Sequence, residues 1–279
     1  MISLHTSQRF LVVVSFYEPR PMDHLERLVH ALSRTPAGVD FDIVVVVNRM
    51  TTGTLALPVA VDAVKAVVNR PNEGMNIGAW DDGWRHFPDY DGYLFLQDEC
   101  ELKSECWLSP FVDAAGSSGV GLVGESWNTG WDRSWETMKK AVEEQRMPGH
   151  DIQGRAANRV DVYLEFMSRR GVIPGQKAGH LRSLVWFANR HTLVAMNGFL
   201  HGANFGECIA AEIAATKRVE ALGLRAQQVD VRPFRYFGHQ EWREGPDGRW
   251  RHGPPNALNT PPPRNSWRAV IARLRASIQ

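Results

Sequence analysis

The amino-acid sequence predicts an α/β protein with a mainly parallel central sheet flanked by helices. Three apolar runs of strand length occur early in the chain, at residues 10–16, 42–47 and 93–96. Continuous apolar runs of this kind are typical of strands that are buried on both faces, as in a parallel sheet. A helical pattern separates the first two runs, which gives the β–α–β order of such folds.

The first half of the chain is predicted to alternate strands with two helices. Its predicted strands lie at residues 10–16, 42–47, 63–68 and 93–96. The first helix begins at Pro21, and its apolar residues recur at helical spacing as far as Leu32. Residues 69–84 (NRPNEGMNIGAWDDGW) are rich in Asn and Gly, which predicts a tight loop that runs into the second helix.

The second half is predicted to return to the same sheet after an insertion. Its predicted strands lie at residues 120–123, 184–188 and 227–231. Its predicted helices lie at residues 107–115, 134–144, 156–169, 190–196 and 207–222. Residues 125–170 are polar and rich in Trp, so we interpret them as a helical insertion on top of the sheet. From residue 235 onward the pattern indicates a loop.

We divide the chain into one domain and a tail. Residues 1–253 form the domain, with a first half at 10–101, the helical insertion at 125–170 and a second half at 180–245. Residues 254–279 contain a Pro-rich linker and, over 266–279, a basic amphipathic helix. Such a helix can lie on a membrane surface or pack against protein, and both alternatives stay open.

Composition narrows the class of function. The 279 residues include 32 Lys and Arg against 31 Asp and Glu, without the basic excess of general nucleic-acid binders, so we expect no nucleic-acid partner. Three cysteines favour reduced thiols over a disulfide framework. The first apolar run is too short to span a bilayer. We therefore expect a cytoplasmic protein, with contact to the inner face of the cell membrane through the C-terminal helix as an option.

The most informative segment is DGYLFLQDECE, at residues 91–101. It is a predicted buried strand that ends abruptly in acidic residues. Buried carboxylates are costly unless something compensates their charge, and a cation is the usual compensation. The carboxyl ends of strands are also where ligands bind in open α/β sheets. This segment predicts a divalent-metal site that holds the phosphates of a nucleotide-linked substrate. The Asn- and Gly-rich loop before it either faces a diphosphate or ribose, or simply starts a helix.

The order of these motifs resembles that of a known family. The segments FLVVVSFYEP, DIVVVVN, NEGMNIGAW and YDGYLFLQDE follow one another as in the nucleotide-sugar half of a glycosyltransferase with the GT-A (Rossmann-like) fold, closest to the family 2 type. NEGMNIGAW and FLQDE are also similar to the rhamnan-synthesis branch. FANRHTLVAMNGF and AEIAATKRVEALG resemble the start of the acceptor half and its Glu-Asp helix. The resemblance covers about residues 10–231.

The resemblance implies a role for each matching residue. In the register of that helix, Glu212 falls at the position of the catalytic base, and Arg218 and Gly223 match. Glu207 is the alternative base. The residues implied in donor binding are Phe16, Tyr17, Glu18, Asn48, Asn72, Asn76, Gln97 and Asp98. Those implied in binding Mn²⁺ or Mg²⁺ are Glu99, Asp98 and His239. For the acceptor, we single out His201 and the aromatic surface at Trp127.

Together these roles imply an inverting glycosyltransferase. It would move a sugar from a nucleoside-diphosphate sugar to a hydroxyl of a saccharide or lipid-linked acceptor, in surface polysaccharide or glycoconjugate synthesis. The metal would stabilise the leaving diphosphate, and the base would take the proton of the acceptor hydroxyl.

The sequence also departs from the family pattern. Gln97 replaces the first aspartate of the Asp-x-Asp motif, which removes one negative charge from the metal site. The processive-synthase motif Gln-x-x-Arg-Trp is absent, which favours single additions. An inactive nucleotide- or sugar-binding protein of the same fold is therefore the alternative. A nucleotidyltransferase is disfavoured because Tyr17-Glu18-Pro19 stands where a Gly-rich basic loop would be needed.

Overall fold

The computed structural model describes residues 8–50, 63–142, 158–244 and 250–252. Its strands are β1 Phe10–Tyr17, β2 Phe41–Arg49, β3 Ala66–Pro71, β4 Gly92–Gln97, β5 Cys100–Leu102, β6 Val120–Gly124, β7 Val185–Asn189, β8 Arg225–Gln228, β9 Phe237–His239, β10 Trp242–Glu244 and β11 Trp250–His252. Its helices are α1 Asp23–Arg34, α2 Met75–His86, α3 Ser109–Gly116, α4 Trp135–Val142, α5 Arg159–Arg169, α6 Arg190–Ala195 and α7 Phe205–Ala221.

Seven strands form the central sheet in the order β3-β2-β1-β4-β7-β6-β8. The first four run parallel, β7 runs antiparallel to both of its neighbours, and β8 is parallel to β6. Helices cover the sheet on both faces. The predicted α/β class with a mainly parallel, helix-flanked sheet is confirmed.

The core consists of two layers, one on each face of this sheet. Leu11 and Val13 of β1 pack in the layer that contains α2 and α7, whereas Val12 and Val14 pack in the layer that contains α1 and α3. Successive side chains of a strand point to opposite faces, so β1 serves both layers and is apolar at consecutive positions. This explains why its sequence does not alternate.

A second sheet was missed by the sequence prediction. It has four strands in the order β11-β10-β9-β5, and β5 follows directly from the acidic end of β4. Residues from 235 onward are therefore not simply a loop: β9 pairs antiparallel with β5, so that Cys100 lies opposite His239. Strands of three residues are too short to show a period of two, which is why the pattern gave no signal.

Several predicted boundaries are corrected by the structure. β3 continues to Pro71 because its backbone keeps pairing with β2 beyond the apolar residues. β8 ends at Gln228, and Val231, predicted to close this strand, is 98% exposed. α3 begins at Ser109, with Pro110 in its first turn, a position that proline favours.

The insertion and the tail lie partly outside the described residues. α5 is not a solvated helix, because Val162 and Phe166 are buried against the layer that contains α7. Residues 143–157 and the tail at 254–279, including the predicted basic helix, are not among the described residues. Among the described helices, none combines the length and the apolar character needed to cross a bilayer.

Candidate active site

A cleft opens where the carboxyl ends of β1, β2 and β4 meet. The chain turns from β1 to β2 and β3 on one side, whereas β4 lies on the other side of β1. Such a reversal of strand order is where open α/β sheets bind ligands. The cleft is lined by Ser15, Phe16, Tyr17, Arg20, Asn48, Asn72, Met75, Asn76, Gln97 and Asp98. Seven of these ten are predicted site residues.

Asp98 and Glu99 form the acidic end of β4. Asp98 is 3% exposed, and its backbone N–H donates to Ser15 O at 3.1 Å. Burial raises the pKa of Asp98 to about 7, although the nearby Arg20 counteracts part of this effect. Its Oδ2 atom is buried and accepts no hydrogen bond from the residues that the structure describes.

Arg20 balances these carboxylates. Its Nη1 atom lies 2.6 Å from Glu99 Oε2 and 3.4 Å from Asp98 Oδ1, and its side chain is only 7% exposed. Burial alone would lower the pKa of Arg20, but the two carboxylates raise it. We did not single out Arg20 from the sequence, since an arginine between a strand and a helix is ordinary.

Gln97 ties the end of β4 to two other segments. Its Nε2 donates to Ser183 O at 2.6 Å, and its Oε1 lies 3.0 Å from His239 Nε2. His239 Nδ1 accepts from Glu241 N, so the ring carries its proton on Nε2 and donates to Gln97. An aspartate could not donate to the Ser183 carbonyl, which gives a structural reason for glutamine here.

The side chains at the end of β4 are of the types that bind divalent cations. His239 Nε2 is 3.8 Å from Glu99 Oε2, so the structure brings together groups that lie 140 positions apart in sequence. No group of three His, Cys, Asp or Glu within the described ranges could hold an ion by itself. Mg²⁺ and Mn²⁺ are often held by one or two carboxylates together with substrate phosphates. Glu99 and Asp98, with its unused oxygen, suit such a site, and an ion there would share the carboxylates with Arg20.

Ser183 connects this acidic end to α7. Its carbonyl accepts from Gln97 and also from Asn76 Nδ2 at 2.8 Å. Its backbone N–H donates to Glu212 Oε2 at 2.9 Å, and its hydroxyl donates to the same oxygen. One residue therefore joins the β4 end, the α2 start and the predicted base.

Glu212 has a second contact on its other oxygen. Oε1 lies 2.9 Å from Nε2 of His180, which is 1% exposed, and the Glu212 side chain is 18% exposed. Burial raises the pKa of Glu212, but the hydrogen bonds from His180 and Ser183 lower this pKa by more than burial raises it. The net shift is therefore downward. Neither His180 nor Ser183 was assigned a role from the sequence.

Glu207 has a different environment. Its Oε1 pairs with Arg169 of α5 at 2.6 Å, and its Oε2 accepts from Ala203 N at 2.9 Å. Burial raises its pKa, but these partners lower it by more. Both oxygens of the Glu207 carboxylate therefore bond near the start of α7, one to Arg169 and the other to Ala203 N.

Two residues predicted to bind the sugar donor, Asn48 and Glu18, form hydrogen bonds and ion pairs within the protein at the edge of the cleft. Asn48 is 3% exposed; its Nδ2 donates to Met75 O, and its Oδ1 accepts from Arg70 Nη1 at 2.7 Å. Glu18 accepts from Met50 N and pairs with Arg49. Phe16 is buried and Tyr17 half-buried in the cleft wall, and burial raises the pKa of Tyr17.

The start of α2 forms the opposite wall. Gly74 adopts a left-handed conformation with φ 72°, and an added Cβ would lie 2.2 Å from the Cβ of His201. His201 therefore packs directly on the α2 N-terminus. Asn72 and Asn76 flank it and line the cleft. Exposed N–H groups at a helix start attract anions.

Trp127 contacts the segment that immediately precedes Ser183 and the end of β8. Its N–H donates to Gln228 Oε1 at 2.6 Å, and its carbonyl accepts from Arg182 Nη1 at 2.9 Å. The guanidinium of Arg182 stacks over the Trp242 ring, 4.2 Å from its centroid. Aromatic groups therefore border the side of the site where the predicted base lies.

No protein-family model matches this chain, and no curated protein matches it by sequence. Solved structures do. A mannosyltransferase from Pyrobaculum calidifontis, in complex with GDP-Man and Mn²⁺, is 16% identical over 80% of this chain and 55% of its own, with a TM-score of 0.49. The chain thus spans about half the length of that enzyme.

Two further structures complete the comparison. Glucosyl-3-phosphoglycerate synthase from Mycobacterium tuberculosis, with Mn²⁺, UDP and glucosyl-3-phosphoglycerate, is 15% identical over 86% of this chain and 73% of its own, with a TM-score of 0.48. A Drosophila galactosyltransferase 7 mutant with manganese, UDP-Gal and xylobiose is 13% identical over 83% and 70%, with a TM-score of 0.41. All three are glycosyltransferases with the GT-A fold, the class that the sequence motifs resemble.

Proposed function

We propose that the protein is an inverting glycosyltransferase that uses a nucleoside-diphosphate sugar. The observation that carries the proposal is the hydrogen-bonded chain from Gln97 through Ser183 to Glu212. It supports the proposal because it links Glu212, a carboxylate that can accept a proton, to the acidic end of β4, where a metal–diphosphate group would bind. Inverting transfer requires this combination of a leaving-group site and a base.

The donor would enter the cleft between β1, β4 and α2, which has a volume of about 30 Å³ in this structure and must widen to admit it. Its base would pack against the half-buried Tyr17, since Phe16 behind it is fully buried, and its diphosphate would face the α2 N-terminus beside Asn72 and Asn76. Asn48, Glu18 and Gln97 support this edge through their own bonds. The Mn²⁺ complexes with GDP-Man, UDP and UDP-Gal among the similar structures are consistent with this class of donor.

Glu99 and Asp98 would hold Mn²⁺ or Mg²⁺. His239 would be a third ligand only after it gave up its hydrogen bond to Gln97 or the one from Glu241 N. When bound, the ion neutralises charge that develops on the departing diphosphate. Arg20 supplies a second, permanent positive charge at the same place. The protein's part is to keep both carboxylates at the strand end despite their burial.

Glu212 is the base. It accepts the proton as the acceptor O–H bond breaks. The acceptor oxygen then bonds to the anomeric carbon while the bond from that carbon to the diphosphate oxygen breaks. Attack on the face opposite the leaving group inverts the configuration. Glu207 is the alternative base. Glu212 is preferred because it bonds to Ser183, which also bonds to Gln97 at the end of β4, whereas Glu207 pairs with Arg169 and Ala203 among the described residues.

The acceptor is a saccharide or lipid-linked hydroxyl compound that packs against Trp127 and His201. The process is surface polysaccharide or glycoconjugate synthesis. We propose that the protein acts in the cytoplasm or at the inner face of the cell membrane, with peripheral contact through the basic helix predicted from the sequence for residues 266–279, and without a nucleic-acid partner.

A second candidate is a catalytically inactive nucleotide- or sugar-binding protein. The ion pairs of Arg20 with Glu99 and Asp98 favour it, because they already neutralise the carboxylates that a metal would use. Under this alternative, nucleotide binding is independent of divalent cations.

A donor screen separates the two candidates. Thermal shift and calorimetry with UDP-, GDP- and dTDP-sugars, each with Mn²⁺ and with EDTA, identify the donor and its metal dependence. We expect one nucleotide to bind at least about tenfold more tightly with Mn²⁺. Equal binding with EDTA, and no diphosphate release with a range of acceptors, would support the inactive binding protein.

A further inference from the structure

His180 makes two contacts through its two ring nitrogens. Nδ1 lies 2.7 Å from the carbonyl oxygen of Ala178, which can only accept. Nδ1 therefore carries a proton. Nε2 lies 2.9 Å from Glu212 Oε1, and an unprotonated imidazole nitrogen would repel a carboxylate oxygen at that distance. The contact requires a proton between these two atoms.

Two arrangements of that proton are conceivable. It resides on the ring and gives an ion pair, or on Glu212 and gives a neutral pair. Asn128 Nδ2, 3.2 Å from Nε2, would suit the neutral pair. Two Ser183 donors to the other carboxylate oxygen favour the ion pair, because they stabilise negative charge on Glu212.

Other charged or titratable groups lie around the pair. Asp132 lies close to Gly179, the residue before His180, and pairs with Lys177, and Arg159 of α5 lies over the Trp131 ring. Arg182 interacts electrostatically with Glu212 and adds positive charge on the same side. Tyr163 of α5 also interacts with Glu212, and burial raises its pKa well above the ordinary value, so it stays neutral. The Trp131 ring meets His180 edge-on with centroids 6.1 Å apart, and it carries no charge. Among the described residues, His180 is therefore the titratable base in direct contact with Glu212.

We propose that His180 is a positioning residue, a buried counter-ion that holds the Glu212 carboxylate ionised and fixed in orientation. A carboxylate that is mostly shielded from water would otherwise tend to be protonated, and a protonated Glu212 could not accept a proton. The effect on catalysis rests on the proposed function, whereas the charged pair itself does not.

A double-mutant cycle on folding tests the pair without any assay of activity. His180→Gln keeps a hydrogen-bond donor without the charge, and Glu212→Gln removes the carboxylate with little change in shape. Urea unfolding of the wild type, both single variants and the double variant at pH 6.5 should show a coupling of at least about tenfold in the unfolding equilibrium constant. The coupling should shrink at about pH 3, because the stability contributed by a carboxylate with a lowered folded-state pKa is lost as the pH falls through that pKa. Additive effects at pH 6.5 would overturn the proposal.

Kinetics with the donor found by the screen provide the second test. We expect His180→Gln to lower kcat at pH 6 by at least about tenfold, with less than about a threefold change in KM, and to move the acid limb of the pH profile upward. His191→Asn, an exposed histidine on α6, should leave both unchanged. If His180→Gln has wild-type kcat and pH profile, the counter-ion role is wrong. If the folding cycle is coupled but the wild type transfers no sugar, the proposed function fails and the charged pair stands.

Discussion

Gln97 shows how one side chain can change the character of a strand end. As an amide it donates on one side and accepts on the other, so it joins Ser183 to His239. A carboxylate at this position could accept from His239 but would face the Ser183 carbonyl oxygen. The residue that departs most from the resembled motif is thus the one that holds the site together.

Replacing Gln97 with Glu should therefore destabilise the protein. Two acceptors would face each other at 2.6 Å, and a third negative charge would join Asp98 and Glu99. We expect a loss of about 1–3 kcal/mol in the free energy of unfolding, measured with urea at pH 8. Gln8→Glu, the same change at an exposed position, should cost less than about 0.5 kcal/mol. Equal effects in the two variants would show that the amide bridge contributes nothing.

Glu207 gives a pH-dependent prediction. Its partners hold its folded-state pKa below 4.5, so its ionised form stabilises the fold above the unfolded-state value. This stabilisation is lost as the pH falls through the lower folded-state pKa. Glu207→Gln should thus cost about 1–3 kcal/mol at pH 7, and the difference from wild type should narrow at about pH 3. Urea unfolding at several pH values measures this, and a difference independent of pH would contradict it.

At the scale of elements, the start of α2 depends on close packing between two loops. Gly74 must be left-handed, and His201 leaves no room for a Cβ above it. Gly74→Ala should therefore cost more than about 1 kcal/mol and weaken donor binding. Gly116→Ala is the matched control, because a Cβ there meets nothing within 4 Å. Urea unfolding and calorimetry should separate the two, and a harmless Gly74→Ala would refute the packing argument.

β9 is held by a buried carboxylate at the end of β6. Glu125 is 1% exposed and accepts three backbone N–H groups, from residues 235, 236 and 237, although burial raises its pKa to about 7. Because β9 carries His239, Glu125 positions one side of the acidic site from a distance.

Glu125→Gln should loosen this attachment. The amide nitrogen would face a backbone N–H and leave a buried donor unsatisfied, at a cost of about 1–3 kcal/mol. Hydrogen exchange should quicken in β9, with little change in β1. Glu136→Gln, which removes an exposed pair with Lys140, is the control and should leave both the stability and the exchange in β9 at wild-type values. Unchanged exchange in β9 would show that other contacts hold the strand.

The long elements could be predicted from the sequence because their burial repeats over many residues. β1, β2, β4 and α7 all lie where the apolar patterns indicate. The short strands β9 to β11 could not, since three residues are too few to show a period of two, and β9 also pairs with the distant β5. β3 was displaced because its extent follows from pairing with β2 rather than from its own composition.

At the scale of the whole molecule, two halves of the chain meet at one edge of the sheet. Strand order explains why the predicted donor residues gather at one cleft, because parallel strands bring their carboxyl ends to the same edge. The proximity of Glu99 and His239 follows from pairing between β5 and β9. Arg20, His180 and Ser183 were missed because their roles arise only from contacts across this fold.

Glu99 as a metal ligand and Glu212 as the base can be tested together by one paired measurement. Binding of the preferred donor nucleotide with Mn²⁺ is measured by calorimetry, and sugar transfer by release of nucleoside diphosphate, for Glu99→Gln and Glu212→Gln. We predict that Glu99→Gln weakens Mn²⁺-dependent binding at least about tenfold. Glu212→Gln should bind like wild type and lose at least about a hundredfold in kcat. Near wild-type turnover by Glu212→Gln, or unchanged Mn²⁺-dependent binding by Glu99→Gln, would contradict the assignment.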